Sequence, residues 1–563
     1  MSLLDVRGLG VSYDGVAAVR DLSFTLGAGE TLALVGESGC GKSTTALGLM
    51  RLLPDSAQLH GQAWFEGRDL LALRARQMRQ LQGSAVGMIF QDPQSSLNPV
   101  LSLGEQVCES LLAHTDLTHR QAWSRAEELF GLVRLPRPKA HLREYPQHLS
   151  GGQRQRVMIA LAIACEPRLL IADEPTTALD VSVQAQILDL LDGLRRELRM
   201  GLLLITHDLG VVEQHADRVI VMHDGRALET QPAAALFENP RHPYTRGLLQ
   251  ASLGQQHRQH YLDNRLAEIH VTRHAHRTNH YQVSPTHYPA AQRPQPPKAG
   301  PPLLVAEGLS VGYGSRQVLD QLSLSIGERE TVGLVGESGC GKSTLGRALL
   351  NLLPRRQGRV LYQGNDCAEL SGQALLQWRS QVQMIFQDPS AALNPRHSID
   401  TLLTRVQRLH GQTDRQQMRR DREAMLDAVG LPRSSLQRLP HQFSGGQRQR
   451  VGIARALILR PKLLICDEPV SALDVSTQAQ ILNLLVELRE AFGLSYLFIS
   501  HDLSVVRYFA DRVLVMQAGR IVEQASAQAL WAQPQHPYTR RLLEAIPGPR
   551  RAPIIGLPFA LGW

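Results

Sequence analysis

The stretch that decides the fold is GESGCGKST, which occupies residues 36–44 and returns unchanged at residues 336–344. Both copies fit the phosphate-loop pattern, in which two glycines separated by four residues are followed by Lys and then Ser or Thr. Each copy follows a short apolar run, at residues 31–35 or 331–335, and precedes a helical pattern. Glycines let the backbone curl so that successive N–H groups point at an anion, and the N-terminus of the next helix favours negative charge there. The repeated loop therefore predicts two phosphate-binding sites.

Each residue type in the loops has a chemical role. The lysine supplies a positive charge for the outer phosphates of a nucleotide, and the serine supplies a hydroxyl for Mg²⁺. The residues expected to surround the nucleotide are Gly36, Glu37, Ser38, Gly39, Cys40, Gly41, Lys42, Ser43 and Thr44 in the first copy, and Gly336, Glu337, Ser338, Gly339, Cys340, Gly341, Lys342, Ser343 and Thr344 in the second.

Length and composition set the broad class. A chain of 563 residues is too long for one core and suggests about three to five compact units. The net charge of +8 has no long run of Lys or Arg, so nucleic acid, an acidic membrane face and a merely basic surface all stay open. No apolar stretch approaches the ~20 residues of a membrane helix, and the start, MSLLDVRGLG, is not expected to be a signal peptide. Six cysteines without a C-x-x-C pair favour a reducing cytosol.

The chain is an internal duplication, with motif residues recurring in the same order. We expect a first domain at residues 1–254, a linker at 255–302, a second domain at 303–545 and a C-terminal tail at 546–563. The linker is rich in His, Gln and Pro and ends in RPQPPKAGPP, so we expect a soluble, disordered tether. Because strands alternate with helices in each half, the pattern predicts an α/β fold with a largely parallel sheet and its ligand at the strand C-termini.

Six features, present twice and in order, resemble the ATP-binding subunits of ABC transporters. They are the phosphate loop, a glutamine after Met-Ile-Phe, the sequence Ser-Gly-Gly-Gln, Asp-Glu after a buried-strand pattern, Ala-Leu-Asp, and a later histidine. This resemblance implies an ATPase with two tandem P-loop nucleotide-binding domains. Each would have a RecA-like parallel-sheet core, an antiparallel β subdomain and a helical signature subdomain.

The resemblance also assigns catalytic and metal-binding roles. Glu174 and Glu468 are expected to polarise the attacking water, and His207 and His501 to contact the γ-phosphate. On its own, an Asp-Glu pair after a strand is more often a helix cap, and a lone histidine is more often structural. The expected ligands of Mg²⁺ are Ser43, Gln91, Asp173, Ser343, Gln387 and Asp467.

Other residues are expected to complete the ATP sites. Tyr13 and Tyr313 would stack on adenine, although either could be a packed tyrosine at a strand end. In the family, the signature of one half meets the γ-phosphate bound by the other, which implies a head-to-tail sandwich with two hydrolytic sites. The signature residues would be Ser150, Gly151, Gly152, Gln153, Ser444, Gly445, Gly446 and Gln447, the D-loop residues Asp180 and Asp474, and the nucleotide-sensing glutamines Gln91 and Gln387.

Two further segments resemble the oligopeptide, dipeptide and nickel importers. They are DPQSSLNP or DPSAALNP after each sensing glutamine, and RHPYTRGLL or QHPYTRRLL near the end of each half. The fused form resembles glutathione-type and microcin-C-type peptide importers. The resemblance implies a peptide importer that uses ATP and Mg²⁺. Its partners would be two transmembrane permease subunits and an extracytoplasmic solute-binding protein, at the cytoplasmic face of the inner membrane.

Two alternatives remain open. A soluble tandem ABC ATPase could act on ribosomes or nucleic acid, but the long charged linker or zinc cysteines of such proteins are missing, so we expect no nucleic-acid partner. The linker carries seven histidines from His257 to His287, including His274 and His276. Because imidazoles are common metal ligands, a nickel or metallophore importer stays an open alternative. No cysteine follows Cys165 in the first half or Cys466 in the second, so no iron–sulfur cluster is expected.

Overall fold

The computed structural model describes residues 2–177, 179–254, 259–273, 279–289, 293–297, 300–368, 370–471 and 473–546. Each half contains a six-stranded sheet, a four-stranded antiparallel sheet and a group of helices, as the sequence predicts. No helix in these ranges is both long enough and apolar enough to cross a bilayer.

The first half is built around a buried central strand, residues 31–36, that leads into the phosphate loop. In chain order its elements are β1 (Ser2–Tyr13), β2 (Val16–Gly27), β3 (Thr31–Gly36), α1 (Lys42–Leu49), β4 (Ala57–Phe65), β5 (Arg68–Asp69), α2 (Ala75–Leu81), β6 (Val86–Ile89), α3 (Pro93–Ser96), α4 (Leu103–His114), α5 (His119–Leu132), α6 (Pro138–His141), α7 (Gly151–Ile163), β7 (Leu169–Asp173), α8 (Val181–Leu198), β8 (Gly201–Ile205), α9 (Leu209–His215), β9 (Arg218–His223), β10 (Arg226–Pro232), α10 (Ala233–Glu238) and α11 (Pro243–Ala251).

The core sheet of the first half has the strand order β10-β9-β3-β8-β7-β6. All neighbours are parallel except β9 and β10, and strands β3, β7 and β8 are buried along their whole length. Burial on both faces explains why these strands read as continuous apolar runs. Because the strands are parallel, the residues that follow β3, β6, β7 and β8 gather at one edge of the sheet.

The second half repeats this plan, with the core order β18-β19-β20-β15-β21-β22. The elements between the halves and in the second half are β11 (Ile269–Arg273), β12 (Asn279–Val283), β13 (Leu304–Tyr313), β14 (Arg316–Ile326), β15 (Thr331–Val335), α12 (Lys342–Leu349), β16 (Arg355–Tyr362), β17 (Asn365–Asp366), α13 (Gly372–Gln381), β18 (Val382–Ile385), α14 (Pro389–Ala392), α15 (Ile399–Leu409), α16 (Arg415–Ala428), α17 (Gly445–Leu457), β19 (Leu463–Asp467), α18 (Val475–Phe492), β20 (Ser495–Ile499), α19 (Leu503–Phe509), β21 (Arg512–Gln517), β22 (Arg520–Ser526), α20 (Ala527–Ala532) and α21 (Pro537–Glu544).

The segment between the halves is not a disordered tether where the structure describes it, so that expectation is wrong for these residues. Tyr261 and Leu266 are buried in the core of the second half, and β11 pairs with β12 as an antiparallel hairpin. The side chain of Asn483 binds both the N–H and the carbonyl of Leu266, at 3.0 and 2.9 Å. Burial of a few apolar residues anchors the segment. These residues were not recognised in the sequence because the surrounding composition is rich in His, Gln and Pro.

Part of the segment and the tail lie outside the described residues. These parts include His257, His274, His276 and residues 547–563. Metal binding by the linker histidines therefore stays an open alternative. The domain boundaries at 254/255 and 302/303 also stay predictions.

Candidate active site

The two phosphate loops have the same backbone geometry. Gly36 and Gly336 lie so close to the next strand that an added Cβ would meet the carbonyl oxygen of Met222 or Met516 at 2.2 Å. Gly41 has φ 101°, and a Cβ there would approach the carbonyl oxygen of Ala18 to 2.5 Å. A side chain at either position would clash with the backbone, so the curled loop requires the glycines of the motif.

Each loop lysine is buried and folds back onto its own loop. Lys42 Nζ donates to the carbonyls of Gly36 and Glu37 at 2.7 and 2.9 Å. Lys342 makes the matching bonds at 2.7 and 3.0 Å. A buried ammonium held by carbonyls at a helix N-terminus provides a concentrated positive charge beside the loop N–H groups, as a polyphosphate requires.

The serine after each lysine pairs with the aspartate that ends β7 or β19, the second strand along the core sheet from β3 or β15. Ser43 Oγ donates to Asp173 Oδ1 at 3.0 Å, and Ser343 makes the same bond to Asp467. A hydroxyl and a carboxylate are hard oxygen donors of the kind that hold Mg²⁺ together with substrate phosphates, so the residues fit this ion. Among the described residues, no group of three or more His, Cys, Asp and Glu side chains could hold a metal by itself.

The predicted catalytic glutamates share an unusual backbone conformation and a hydrogen bond from a glutamine. Glu174 and Glu468 have φ 48°, a left-handed backbone that is uncommon outside glycine. Each carboxylate accepts from the sensing glutamine, with Gln91 Nε2 at 3.0 Å and Gln387 Nε2 at 2.8 Å. In this arrangement the glutamines contact the glutamates, whereas the sequence predicted them as Mg²⁺ ligands.

The predicted histidine also reaches each glutamate. His207 Nδ1 lies 3.3 Å from Glu174, and His501 Nδ1 lies 3.2 Å from Glu468. Thr177 Oγ1 also donates to Glu174, at 2.9 Å. The sequence analysis did not single out Thr177. Its counterpart Ser471 instead donates to the backbone carbonyl of Glu468, so the two glutamates are not held identically.

Adjacent carboxyl groups of the first site have opposite pKa shifts. Burial raises the pKa of Asp173 to about 6, against the hydrogen bond from Ser43. Burial would also raise the pKa of Glu174, but the hydrogen bond and charge of His207, with help from Thr177 and Gln91, lower it to about 2. The same pairing raises the pKa of His207 although burial opposes it. Glu174 is therefore ionised and charge-paired, while Asp173 sits in a setting that favours a bound cation.

The signature residues begin helices, as predicted. Ser150 and Ser444 are the N-caps of α7 and α17, and each forms a reciprocal capping box with the glutamine three residues on. A Cβ on Gly152 would lie 2.6 Å from Val183 Cγ1, so the start of α7 is packed closely against α8. The hydrogen bonds of both serine side chains stay within their own helix starts.

The D-loop residues connect the two halves. Asp474 caps α18, and its Oδ2 accepts a 3.4 Å hydrogen bond from the backbone N–H of Ser38 in the first phosphate loop. Reciprocally, Ser182, two residues after Asp180, donates to Glu337 of the second loop at 3.4 Å. Burial raises the pKa of Glu37, and the carboxylate of Asp474 acts in the same direction. Each half therefore touches the phosphate loop of the other.

The tyrosines predicted to stack on adenine are the last residues of β1 and β13, which belong to the antiparallel sheets. Tyr13 is half-buried, and Tyr313 has 48% of its surface exposed. Exposed aromatic surface at both positions is compatible with stacking on a base, which stays a prediction.

The repeated HPYTR segments form part of the sites, which the sequence indicated only through their repetition. Tyr538, at the start of α21, accepts a hydrogen bond of 3.0 Å from the backbone N–H of Glu337. A buried carboxylate anchors the first segment. Glu229 accepts from the N–H groups of Arg241 and His242 at 2.7 and 3.0 Å. The second HPYTR segment thus packs directly against the second phosphate loop.

Comparison with known proteins agrees with this geometry. The family model for ABC transporters matches residues 19–177 and 319–471. The chain belongs to the ABC transporter family. It is an ATP-binding protein and an ATPase of that family, with two ATPase domains in one chain. A second family, the oligopeptide/dipeptide transporter C-terminal region, matches residues 228–276 and 522–555 of this ABC protein, which include both HPYTR segments.

Curated relatives extend over nearly the whole ABC protein. It is 45% identical to the glutathione import ATP-binding protein GsiA of Pectobacterium atrosepticum, with 97% of this chain and 89% of that protein covered. It is 44% identical to GsiA of Salmonella typhimurium over the same shares. Identity to GsiA of Escherichia coli K12 is 43%, over 97% of this chain and 90% of that protein.

Proposed function

We propose that this ABC ATPase is the energy-coupling subunit of a membrane importer for peptides, of the glutathione, dipeptide or oligopeptide class. The observation that carries the proposal is the HPYTR segment, which is present in both halves, belongs to the oligopeptide/dipeptide transporter region and contacts the phosphate loop through Tyr538. The relatives are glutathione import ATP-binding proteins, and they match this chain over almost their full length. They support the same class of solute.

We further propose that two transmembrane permease subunits and an extracytoplasmic solute-binding protein complete the importer, at the cytoplasmic face of the inner membrane. Each phosphate loop would bind one ATP with Mg²⁺, which supplies charge neutralisation at the phosphates. Ser43 and Asp173 would hold the ion in the first site, and Ser343 and Asp467 in the second. The oxygen pair at 3.0 Å in each site supports this assignment.

The protein's own residues suggest how hydrolysis is organised. Glu174 and Glu468 would orient the attacking water as ionised carboxylates, and His207 and His501 would face the γ-phosphate. The signature helix starts at Ser150 and Ser444 would close on the γ-phosphate of the opposite site as the halves approach. The contacts between each D-loop and the opposite phosphate loop support such an arrangement.

A membrane pull-down tests this function. Tagged chain carrying Glu174→Gln and Glu468→Gln is incubated with membranes, ATP and Mg²⁺, which should hold the halves closed. Mass spectrometry should then identify two permeases and a solute-binding protein, whose ligand names the substrate. Recovery of ribosomal proteins or nucleic acid without any permease would contradict the importer assignment.

A further inference from the structure

The hairpin between the halves packs against the HPYTR helix of the first half. On α11, Gly247 lies so close to the hairpin that an added Cβ would be 2.8 Å from Ile269 Cγ1 and 2.9 Å from Val283 Cγ2. Ile269 is 5% exposed and belongs to the same apolar cluster as Tyr244 and Leu248 of α11. The hairpin is therefore a docked element of the first half.

Tyr281 of β12 brings the hairpin to the back of the first phosphate loop. Its ring lies 5.3 Å from the ring of His223, 5.5 Å from that of Tyr244 and 5.1 Å from that of His242, measured between centroids. These four rings form an aromatic cluster that joins the hairpin, the end of β9 and the HPYTR segment. Such edge and tilted contacts fix ring positions.

A chain of polar contacts leads from this cluster to the loop. Tyr281 Oη lies 3.0 Å from His223 Nδ1. On the other side of the imidazole, Nε2 lies 3.8 Å from Glu37 Oε2. Glu37 is the loop residue whose carbonyl holds Lys42 at 2.9 Å. Because each contact fixes the next group, the position of Tyr281 is linked to that of the loop lysine.

The second site is built differently. Gln517 occupies the place that His223 has in the first half, at the end of β21. In both halves the HPYTR tyrosine meets the loop glutamate, since Tyr244 interacts with Glu37 and Tyr538 accepts from the backbone N–H of Glu337. The difference between the sites therefore lies in His223 and the hairpin. Within the part of the chain that the structure describes, the hairpin occurs once. It reaches one phosphate loop through the aromatic cluster, which makes the two sites unequal.

We propose that Tyr281 is a positioning residue for the first ATP site, which acts through His223 on Glu37 and gives the segment between the halves control over that site alone. The inference rests on the assignment of both phosphate loops to ATP. A displacement of the hairpin would change the affinity of the first loop for nucleotide and leave the second unchanged.

The test uses full-length chains in which one loop lysine is removed. In the Lys342→Ala chain, binding of trinitrophenyl-ATP with Mg²⁺ reports the first loop, and in the Lys42→Ala chain it reports the second. Tyr281→Phe, which keeps the ring, should weaken binding in the Lys342→Ala chain by about two- to tenfold, the range expected for one hydrogen bond. The Lys42→Ala chain should not change.

A control on the exposed face of the same strand is Gln282→Ala, which should alter neither site. His223→Gln should reproduce the effect of Tyr281→Phe, and the double variant should be no weaker than either single variant, because both remove one path. The thermal unfolding midpoint should be the same for Tyr281→Phe and Gln282→Ala.

Three results would overturn the inference. They are an equal loss at both loops, no loss at the first loop, and additive losses in the double variant. If the Lys342→Ala chain itself bound no nucleotide, the assignment of the first loop to ATP would fail, and the inference with it.

Discussion

The side-chain amide of Gln91 donates a 3.0 Å hydrogen bond to the carboxylate of Glu174, and Gln387 makes the same bond to Glu468 at 2.8 Å. Gln91 lies just beyond β6, where the chain leaves the core sheet for the helices that follow. A movement of those helices would therefore pull on the group proposed to orient the attacking water. This bond offers a physical route from the proposed permeases to hydrolysis.

We expect Gln91→Ala to lower ATP turnover at the first site about tenfold to a hundredfold, because the glutamate loses a contact that fixes its carboxylate, and small misplacements have costs of this size. Nucleotide affinity should stay within about threefold of the parent. Turnover is measured on the permease complex with the second site silenced by Glu468→Gln. Gln387→Ala in the same background is the matched control, and an equal loss there would contradict the local role of Gln91.

Glu229 should hold the first HPYTR segment in a pH-dependent way. Burial favours a raised pKa for Glu229, but hydrogen bonds from Thr245, Arg241, His242 and Gln231 outweigh burial and lower it. A carboxyl group with a lowered pKa stabilises the fold above its unfolded pKa, and this contribution is lost as the pH falls through its folded pKa.

Glu229→Gln should therefore speed amide exchange in α11 at pH 7. The free energy of local opening of α11 should fall by about 1.5–3 kcal/mol relative to the parent. The difference from the parent should shrink as the pH falls below the unfolded pKa, about 4.3. Hydrogen exchange read by mass spectrometry measures this segment directly. A difference that grew toward acid pH would contradict the assigned sign.

Tyr538→Phe should weaken nucleotide binding at the second site, because the N–H of Glu337 loses its acceptor in a part-buried place. The expected loss is about two- to tenfold in Kd. It is measured with trinitrophenyl-ATP in the Lys42→Ala chain, and the Lys342→Ala chain serves as the control. Unchanged binding at the second site would show that the HPYTR tyrosine only fills space.

Arg489 should decide whether the segment between the halves stays docked on the second half. Its side chain is fully buried, contacts the hydroxyl of Tyr261 and lies 3.8 Å from Asp511. Arg489→Met would leave the carboxyl of Asp511 buried without its cationic partner, which typically costs about 3–5 kcal/mol.

Limited proteolysis should therefore cut the Arg489→Met chain faster between residues 255 and 302. The control is Arg293→Met, because Arg293 pairs with Asp263 through side chains that are 64% and 61% exposed, and such pairs contribute at most about 1 kcal/mol. Equal cleavage of both variants would contradict the anchoring role of Arg489.

The sequence predicted what the local chemistry dictates. The repeated loop, the buried parallel strands and the capped signature helices are set by glycine sterics, apolar runs and N-cap chemistry, and each is visible within a few residues. The approach of Ser43 to Asp173 also follows, because the residues after β3 and at the end of β7 lie at the same edge of a parallel sheet. The family membership and the fold class are confirmed.

Contacts between distant residues could not be predicted in this way. Tyr281 and His223 lie 58 residues apart in sequence, and neither belongs to a motif. Tyr261 was hidden because its segment has the composition of a tether, yet Tyr261 and Leu266 are buried in the core of the second half. The repetition of HPYTR indicated a shared role, but only the fold brings Tyr538 to the loop of Glu337.

The most direct test compares ATP turnover by Glu174→Gln and Glu468→Gln in the assembled permease complex. The account predicts that each substitution removes hydrolysis at its own site, so both single variants lose much of the activity, and that the double variant loses about 10²–10⁴-fold, the contribution typical of a general base. If Glu468→Gln left turnover unchanged while Glu174→Gln abolished it, the claim of two hydrolytic sites would be wrong.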